Sequence, residues 1–292
     1  MSKTQAPVFY RMMLGDFEIV ALNDGVVPWK TATLFPTASP EQIQASLHAS
    51  GLSDPVGMSY NAFLVNTGSK VVLIDAGTGG KLNDLPAFRG AGRLLTNLRA
   101  AGYEPAEIDE IYITHMGPDH VGGLTNGSER TFPNAIVRTA RREVDAFLDP
   151  KKATAPDSAW YRFRSALYEP YVRAGRSETF DQDVALVPGI RAMATNGHTP
   201  GHTSYVVESK GQTLIVLGDV VHLGGLQFAH PTLPTLVDAD REGGSAQRTR
   251  MFELAARDNY WVAGAHLSFP GLGHIRSEQG RFHWAPVNYA IP

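Results

Sequence analysis

The sequence predicts an α/β protein, and three observations carry that expectation. Short apolar runs of strand length alternate with longer segments of helical spacing, an order that places helices over a sheet. Hydrophobic residues make up 43% of the 292 and charged residues 19%, enough for a buried core and too apolar for a disordered chain. No stretch approaches the roughly 18 uninterrupted apolar residues of a membrane-spanning helix, so no membrane partner is expected.

Taken in order, residues 17–21 and 61–66 read as strands, separated by a punctuated stretch with a helical patch at 41–48. Residues 71–74 form a buried strand running into the turn Asp75-Ala76-Gly77. Leu94, Leu95 and Leu98 share one face of a helix over 94–101 with Gly102 as its stop, and a strand follows at 111–113. Residues 141–175 are richer in charge and aromatics, with helical stretches at 143–148 and 160–168, and read as an insertion beside the core. Strands at 190–194, 213–217 and 260–263 and a helix at 247–256 complete the alternation. The length suits two domains or one large unit. With no internal repeat and no low-complexity linker, a single domain over 1–292 is preferred.

Charge and composition exclude several classes. Twenty-six basic against 29 acidic residues give a net charge of −3 without a basic run, so no nucleic-acid partner is expected. With no cysteine, disulfides, thiolate metal sites and cysteine nucleophiles are excluded, leaving oxygen and imidazole chemistry. A serine-esterase G-x-S-x-G elbow is absent. The glycine-rich turn from Asp75 to Leu82 lacks the spacing of a phosphate loop. Residues 1–17 lack a signal-peptide pattern, and the compartment stays open between the cytoplasm and, if a leader was removed, the periplasm.

Four segments rich in metal-ligand residue types each follow an apolar strand candidate: His115, Asp119 and His120 after 111–113, His198 and His202 after 190–194, Asp219 after 213–217, and His266 after 260–263. Carboxyl ends of strands in an open α/β sheet are where ligands collect, so the four can meet at one edge. One histidine near a strand end is ordinarily a hydrogen-bonded structural residue. Four segments together point to a metal, because imidazole and carboxylate suit zinc and neighbouring divalent ions, and burying Asp219 unpaired would cost several kcal/mol. His48 reads as exposed on its helix, and His230, His274 and His283 read as structural or surface residues.

Thr114-His115-Met116-Gly117-Pro118-Asp119-His120 resembles the H-x-H-x-D-H loop of the metallo-β-lactamase superfamily. Gly197-His198-Thr199-Pro200-Gly201-His202, Leu217-Gly218-Asp219 and Ala265-His266 resemble its later motifs in order and spacing, and Leu73-Ile74-Asp75-Ala76-Gly77 its first. Tyr10-Arg11-Met12 and His266-Leu267-Ser268-Phe269-Pro270-Gly271 are similar to the methyl parathion hydrolase and dihydrocoumarin-type lactonase branch. The resemblance implies an αββα sandwich and two metal positions. One would take Asp119, His120 and His266, the other His115 and His202, with Asp219 bridging. His198 then stands behind the ligands, and Asp75 braces the loop without a metal bond. The implied cofactor is a divalent metal, zinc first with manganese, cobalt or iron as alternatives, at one or two per chain. A homodimer is implied by family analogy alone.

Gly117 departs from the pattern, for the family has its second histidine there. The poorer position would bind metal weakly, stay empty, or draw a ligand from elsewhere. His222 is the candidate substitute, although a pocket or ligand-orienting role is preferred for it. Gly117→His is expected to raise metal stoichiometry, or to leave it unchanged if His222 already fills the gap. The implied activity is hydrolysis by a metal-bound hydroxide, with Asp219 and His222 in catalytic roles. Substrates would be lactones or aryl esters, with side activity on organophosphate triesters. His222, Trp160 and Phe163 are candidate pocket residues, beside Tyr161 and Tyr168. The alternatives are a dedicated organophosphate hydrolase and a non-catalytic binding protein whose centre has decayed at Gly117.

Overall fold

The computed structural model describes residues 8–82, 85, 88–151, 158–181 and 183–289. The ends of the single-domain range, the first seven residues of the segment read for a leader, and residues 152–157 of the insertion lie outside the described residues. Two seven-stranded sheets form the centre. The first contains β1 (Phe9–Leu14), β2 (Phe17–Trp29), β3 (Val56–Asn66), β4 (Val71–Ile74) and β5 (Glu110–Ile113). After a two-stranded ribbon, β6 (Thr125–Asn126) with β7 (Glu129–Arg130), it is completed by β8 (Ile136–Ala140) and β9 (Ser177–Phe180). The second runs in chain order through β10 (Ala185–Val187), β11 (Ile190–Ala194), β12 (Thr203–Ser209), β13 (Gln212–Val216), β14 (Trp261–Ala263), β15 (Leu272–Glu278) and β16 (Arg281–Pro286).

Alternation along each strand explains the layers. Phe63 and Val65 of β3, Val72 and Ile74 of β4 and Tyr112 of β5 meet Ala192, Tyr205, Leu214, Val216 and Leu272 of the second sheet in a shared core. The intervening Leu64, Leu73 and Ile111 face the opposite way and pack with the helices Leu94–Ala100 and Ser158–Arg173. In the second sheet Val206, Ile215 and Val262 turn outward against the helix Arg241–Arg257. With both faces of the central strands buried, the apolar runs are continuous rather than alternating. The result is the expected αββα sandwich. The Tyr205 hydroxyl fastens the sheets to each other by donating to the Ile113 carbonyl at 2.7 Å.

Several expected elements prove longer. β2 continues to Trp29, well beyond residue 21, because its polar Asn23 and Asp24 are buried with partners. Asn23 Nδ2 donates to Asn61 Oδ1 at 2.9 Å, while Asp24 accepts from the backbone N–H groups of Thr78 and Leu94. The helix expected at 247–256 begins at Arg241, where Asp240 caps it by accepting from Gly243 N–H at 2.9 Å. β12 was not expected at all. Its polar opening, Thr203-Ser204, is buried, with the Ser204 hydroxyl donating to the Leu217 carbonyl at 3.0 Å.

Candidate active site

The four ligand-bearing segments do leave the carboxyl ends of strands. β5 ends at Ile113 before the loop carrying His115, Asp119 and His120; β11 ends at Ala194 before His198; β13 ends at Val216 before Asp219; β14 ends at Ala263 before His266. The parallel pairs β4–β5 and β13–β14 bring these ends to the same edge. Asp219 sits in the single turn Gly218–Val220, entered through Gly218 at φ +58°, a conformation glycine adopts without penalty.

The buried Asp219 carboxylate divides the cluster in two. Oδ1 lies 3.1 Å from Nε2 of both His120 and His266, and these nitrogens stand 3.6 and 3.5 Å from Asp119 Oδ2. Oδ2 lies 3.2 Å from His222 Nε2, 3.4 Å from His198 Nε2 and 3.6 Å from His115 Nε2. Donors arranged tetrahedrally around one zinc ion are about 3.3 Å apart, given metal–nitrogen bonds near 2.0–2.1 Å. The observed separations bracket that edge.

Hydrogen bonds behind the rings decide which nitrogens are free. His120 Nδ1–H donates to Asp75 Oδ2 at 2.7 Å, His266 Nδ1–H to the Ser59 carbonyl at 3.1 Å, and His198 Nδ1–H to Asp238 Oδ1 at 3.0 Å. An acceptor at Nδ1 fixes the tautomer and leaves the Nε2 lone pair aimed inward, the arrangement of metal-ligating histidines. Among the described residues, the buried side-chain atoms without a hydrogen-bond partner include His120 Nε2, Asp219 Oδ1 and both ring nitrogens of His222. Such groups cost free energy unless something polar completes them. The donor set therefore fits a divalent cation on each side of Asp219.

His202 departs from the sequence expectation. Its Nε2 accepts the Asp219 backbone N–H at 3.0 Å, and its Nδ1–H donates to Thr195 Oγ1 at 2.8 Å. Both nitrogens are thus spent on the protein, and it is His198 that reaches into the cluster. The physical reason is β12: His202 immediately precedes it and is committed to the sheet edge, with its carbonyl taking Thr195 N–H at 3.0 Å. Gly218 makes room for the ring in this position, since a Cβ there would come within 2.8 Å of His202 Nε2.

Gly117 is likewise explained by packing. A Cβ at this position would stand 2.4 Å from His115 Nε2 and 3.1 Å from the His120 ring. The His115 ring therefore fills the space that a larger residue at 117 would need, and the expectation that Gly117→His adds a ligand does not suit this geometry. His222, given first as a pocket residue, turns its Nε2 to Asp219 while its backbone N–H is held by Gln227 Oε1 at 2.7 Å.

Three supporting residues escaped the sequence reading. Glu143 is fully buried and accepts from Met116 N–H, Thr199 Oγ1 and Gly201 N–H at 2.8–2.9 Å, tying the His115 loop to the His198 loop. Arg248 is buried in the helix Arg241–Arg257 and donates to the carbonyls of Val220, Pro231 and Leu233, with Asp238 Oδ2 at 3.5 Å. It holds the Asp219 turn and the Asp238 loop together. Tyr60 is placed by β3 against the His266 ring, centroids 5.0 Å apart, and accepts the Trp29 indole N–H at 3.0 Å. A glutamate in a charged helix and an arginine on an apparently polar one carry no sequence signal of burial.

Above the cluster lies a cavity of about 370 Å³. Its walls are largely apolar, including Trp29, Leu34, Met58, Phe88 and Phe147, with Tyr60 and Arg164 as polar members. Trp160 and Phe163 do not line it. Trp160 is exposed and stacks edge-on to Phe163, and Phe163 packs on the core beneath its helix. Tyr168 is buried in the same core. Helical periodicity turns those rings along the helix, and the wall comes instead from Phe147 and Arg164.

Charge is distributed unevenly through the cluster. Burial opposes ionisation of Asp219, but the surrounding His120, His266, His115 and His222 hold its carboxyl well below the usual range. Burial likewise opposes protonation of His120, yet Asp219, Asp75 and Asp119 hold it well above an ordinary imidazole, and His266 is raised for the same reason. Burial dominates at His115, His222 and His202, pushing all three down, His202 to about 3.

Comparison with known proteins gives a consistent picture. The family model described as the metallo-beta-lactamase superfamily matches residues 56–266. A crystal structure of the hydrolase AbOPH in the beta lactamase superfamily is 32% identical, covers 99% of this chain and 100% of its own, and superposes with a TM-score of 0.91. AidC, a dizinc quorum-quenching lactonase in complex with a product, is 24% identical over 97% of this chain and 99% of its own, with a TM-score of 0.86. An N-acyl homoserine lactonase of Bacillus cereus is 30% identical over 133 residues, 46% of either chain. The alignment thus spans about half the length of the curated lactonases it matches.

Proposed function

The chain belongs to the metallo-beta-lactamase superfamily, and from that premise we propose that it is a metal-dependent hydrolase of small lactones or aryl esters. The observation that carries this reading is the division of Asp219, with Asp119, His120 and His266 around Oδ1 and His115, His198 and His222 around Oδ2. These residues would hold divalent cations, zinc first, on either side of the shared carboxylate. A cation bound there supplies a water of lowered pKa and a Lewis acid for the acceptor oxygen. Asp219, kept ionised by the imidazoles around it, would take up a proton from an attacking water. Tyr60 stays protonated, because burial and nearby carboxylates raise its pKa, and its own O–H is left to donate to the oxygen on which negative charge develops. The apolar walls take the body of the substrate and exclude bulk water.

The similarity to two lactonases supports lactones ahead of other esters. A second reading, a dedicated organophosphate hydrolase of the methyl parathion hydrolase type, draws support from the same apolar walls, which suit an aryl phosphotriester. Pairing of two chains is carried as a proposal as well, checked by sedimentation velocity. Hydrolysis of dihydrocoumarin, N-hexanoyl homoserine lactone and paraoxon, each before and after chelation, tests the function. The expected result is chelator-sensitive turnover, fastest on a lactone. Preference for paraoxon would favour the second reading, and absence of both bound metal and turnover would leave a binding protein.

A further inference from the structure

We propose that His222 takes over the coordinating place that Gly117 leaves without a side chain, so that the second cation position is built from His115, His198, His222 and Asp219 Oδ2. The inference rests on the reading of the cluster as a metal centre and adds to it a ligand that the H-x-H-x-D-H pattern does not contain.

Three independent observations carry it. First, the space beside Gly117 is closed rather than open. Its Cβ would meet His115 Nε2 at 2.4 Å, so the His115 ring occupies that space and a further ligand has to come from another direction. Second, His222 is buried, and among the described residues neither of its ring nitrogens makes a hydrogen bond of acceptable geometry, whereas His120, His198, His202 and His266 each make one at Nδ1. An imidazole buried with no partner on either side costs free energy unless a ligand completes it. Third, its Nε2 lies 3.2 Å from Asp219 Oδ2, and His198, Asp219 and His222 present one ligand atom each within 4.8 Å of one another.

The chain also fixes the approach of the ring. Gln227 Oε1 accepts the backbone N–H groups of both His222 and Leu223, at 2.7 and 3.2 Å, and Arg248 Nε donates to the Val220 carbonyl at 2.6 Å. The segment from Asp219 to Leu223 is therefore clamped on both sides of His222. Its ring stacks on His266 at 5.2 Å with an interplanar angle of 14°, which keeps it over the junction between the two halves of the cluster. A surface or pocket histidine requires none of this.

The test is a zinc titration of the metal-free full-length protein by calorimetry, with zinc content per chain measured after dialysis, for the wild type and for His222→Gln and His222→Asn. The wild type is expected to take up two zinc ions. Both variants should retain the first with affinity unchanged within about threefold, which also proves that they fold, and lose the second by on the order of a hundredfold or more. Cobalt(II) uptake, read from its visible absorption, should lose the same second step. Two zinc ions bound with unchanged affinity by both variants would overturn the assignment of His222. A wild type that binds a single ion overturns it while leaving a mononuclear hydrolase standing, and a wild type that binds none removes both readings.

Discussion

Around Asp219 Oδ1 the facing groups come from two places, the adjacent Asp119 and His120 and the distant His266, with His120 braced by Asp75 just past β4 and His266 by the Ser59 carbonyl within β3. Around Oδ2 they come from three separate loops and lean on a longer chain of supports: His198 on Asp238, Asp238 beside Arg248, and the His115 and His198 loops on Glu143. In the first half each histidine ring rests directly on one close partner, Asp75 for His120 and the Ser59 carbonyl for His266. In the second half the supports are relayed, from His198 through Asp238 to Arg248 and from both loops to Glu143, so its integrity depends on several buried side chains in series. The comparison predicts that perturbations far from the centre fall unequally on its two halves.

Asp219→Asn removes the anion common to both halves, so both zinc ions should be weakened and hydrolysis should fall by on the order of 10³-fold or more, measured as kcat/KM. Retention of one tight zinc ion would show that the halves are independent of this carboxylate. Arg248→Met deletes a buried cation, removes its bonds to the carbonyls of Val220, Pro231 and Leu233, of which Leu233 keeps the Gln227 amide as a donor, and should cost about 3–5 kcal/mol in chemical denaturation. Tyr60→Phe, which keeps the ring against His266, should lower kcat by about 10²-fold with little change in zinc content. Asp238→Asn should weaken the second zinc ion about 10- to 100-fold while sparing the first. Equal weakening of both would erase the distinction drawn here.

The pH dependence of the metal-free protein sharpens the same contrast. His115, His202 and His222 are pushed below the ordinary imidazole value by burial. Below about pH 6.5 the unfolded chain therefore binds more protons at these sites than the folded one, and stability falls as the pH is lowered towards the His202 value of about 3. At His120 and His266 burial is outweighed by Asp219 and its neighbours, and their folded values are raised. Their contribution is complete below about pH 6.5 and is lost as the pH rises through those folded values. Melting temperature should accordingly peak near pH 6.5 without metal and shift upward in pH with zinc, because zinc binds the deprotonated ligands. A metal-free optimum well above neutrality would contradict this.

The two halves were unequally legible in the sequence for the same reason that they are unequally supported. Asp119, His120 and Asp219 follow strands whose apolar runs are plain, and His266 does too, so their convergence could be read from strand ends alone. The choice between His198 and His202 depended on β12, whose polar first residues concealed a central strand that consumes His202. Glu143, Asp238 and Arg248 act through burial and bonds spanning 10 to 58 residues, and no local pattern marks them. Trp160 and Phe163 were placed in the pocket on residue type, but the rotation of their helix carries them away from it.

Two cation positions separated by one carboxylate would be visible as separate metal peaks. Anomalous scattering from zinc-loaded crystals, collected on both sides of the zinc absorption edge, tests for them directly. Two peaks per chain are expected, one between Asp219 Oδ1 and the Asp119, His120 and His266 group, the other between Oδ2 and the His115, His198 and His222 group. A single peak, or a second one coordinated by His202 instead of His198 and His222, would contradict that arrangement.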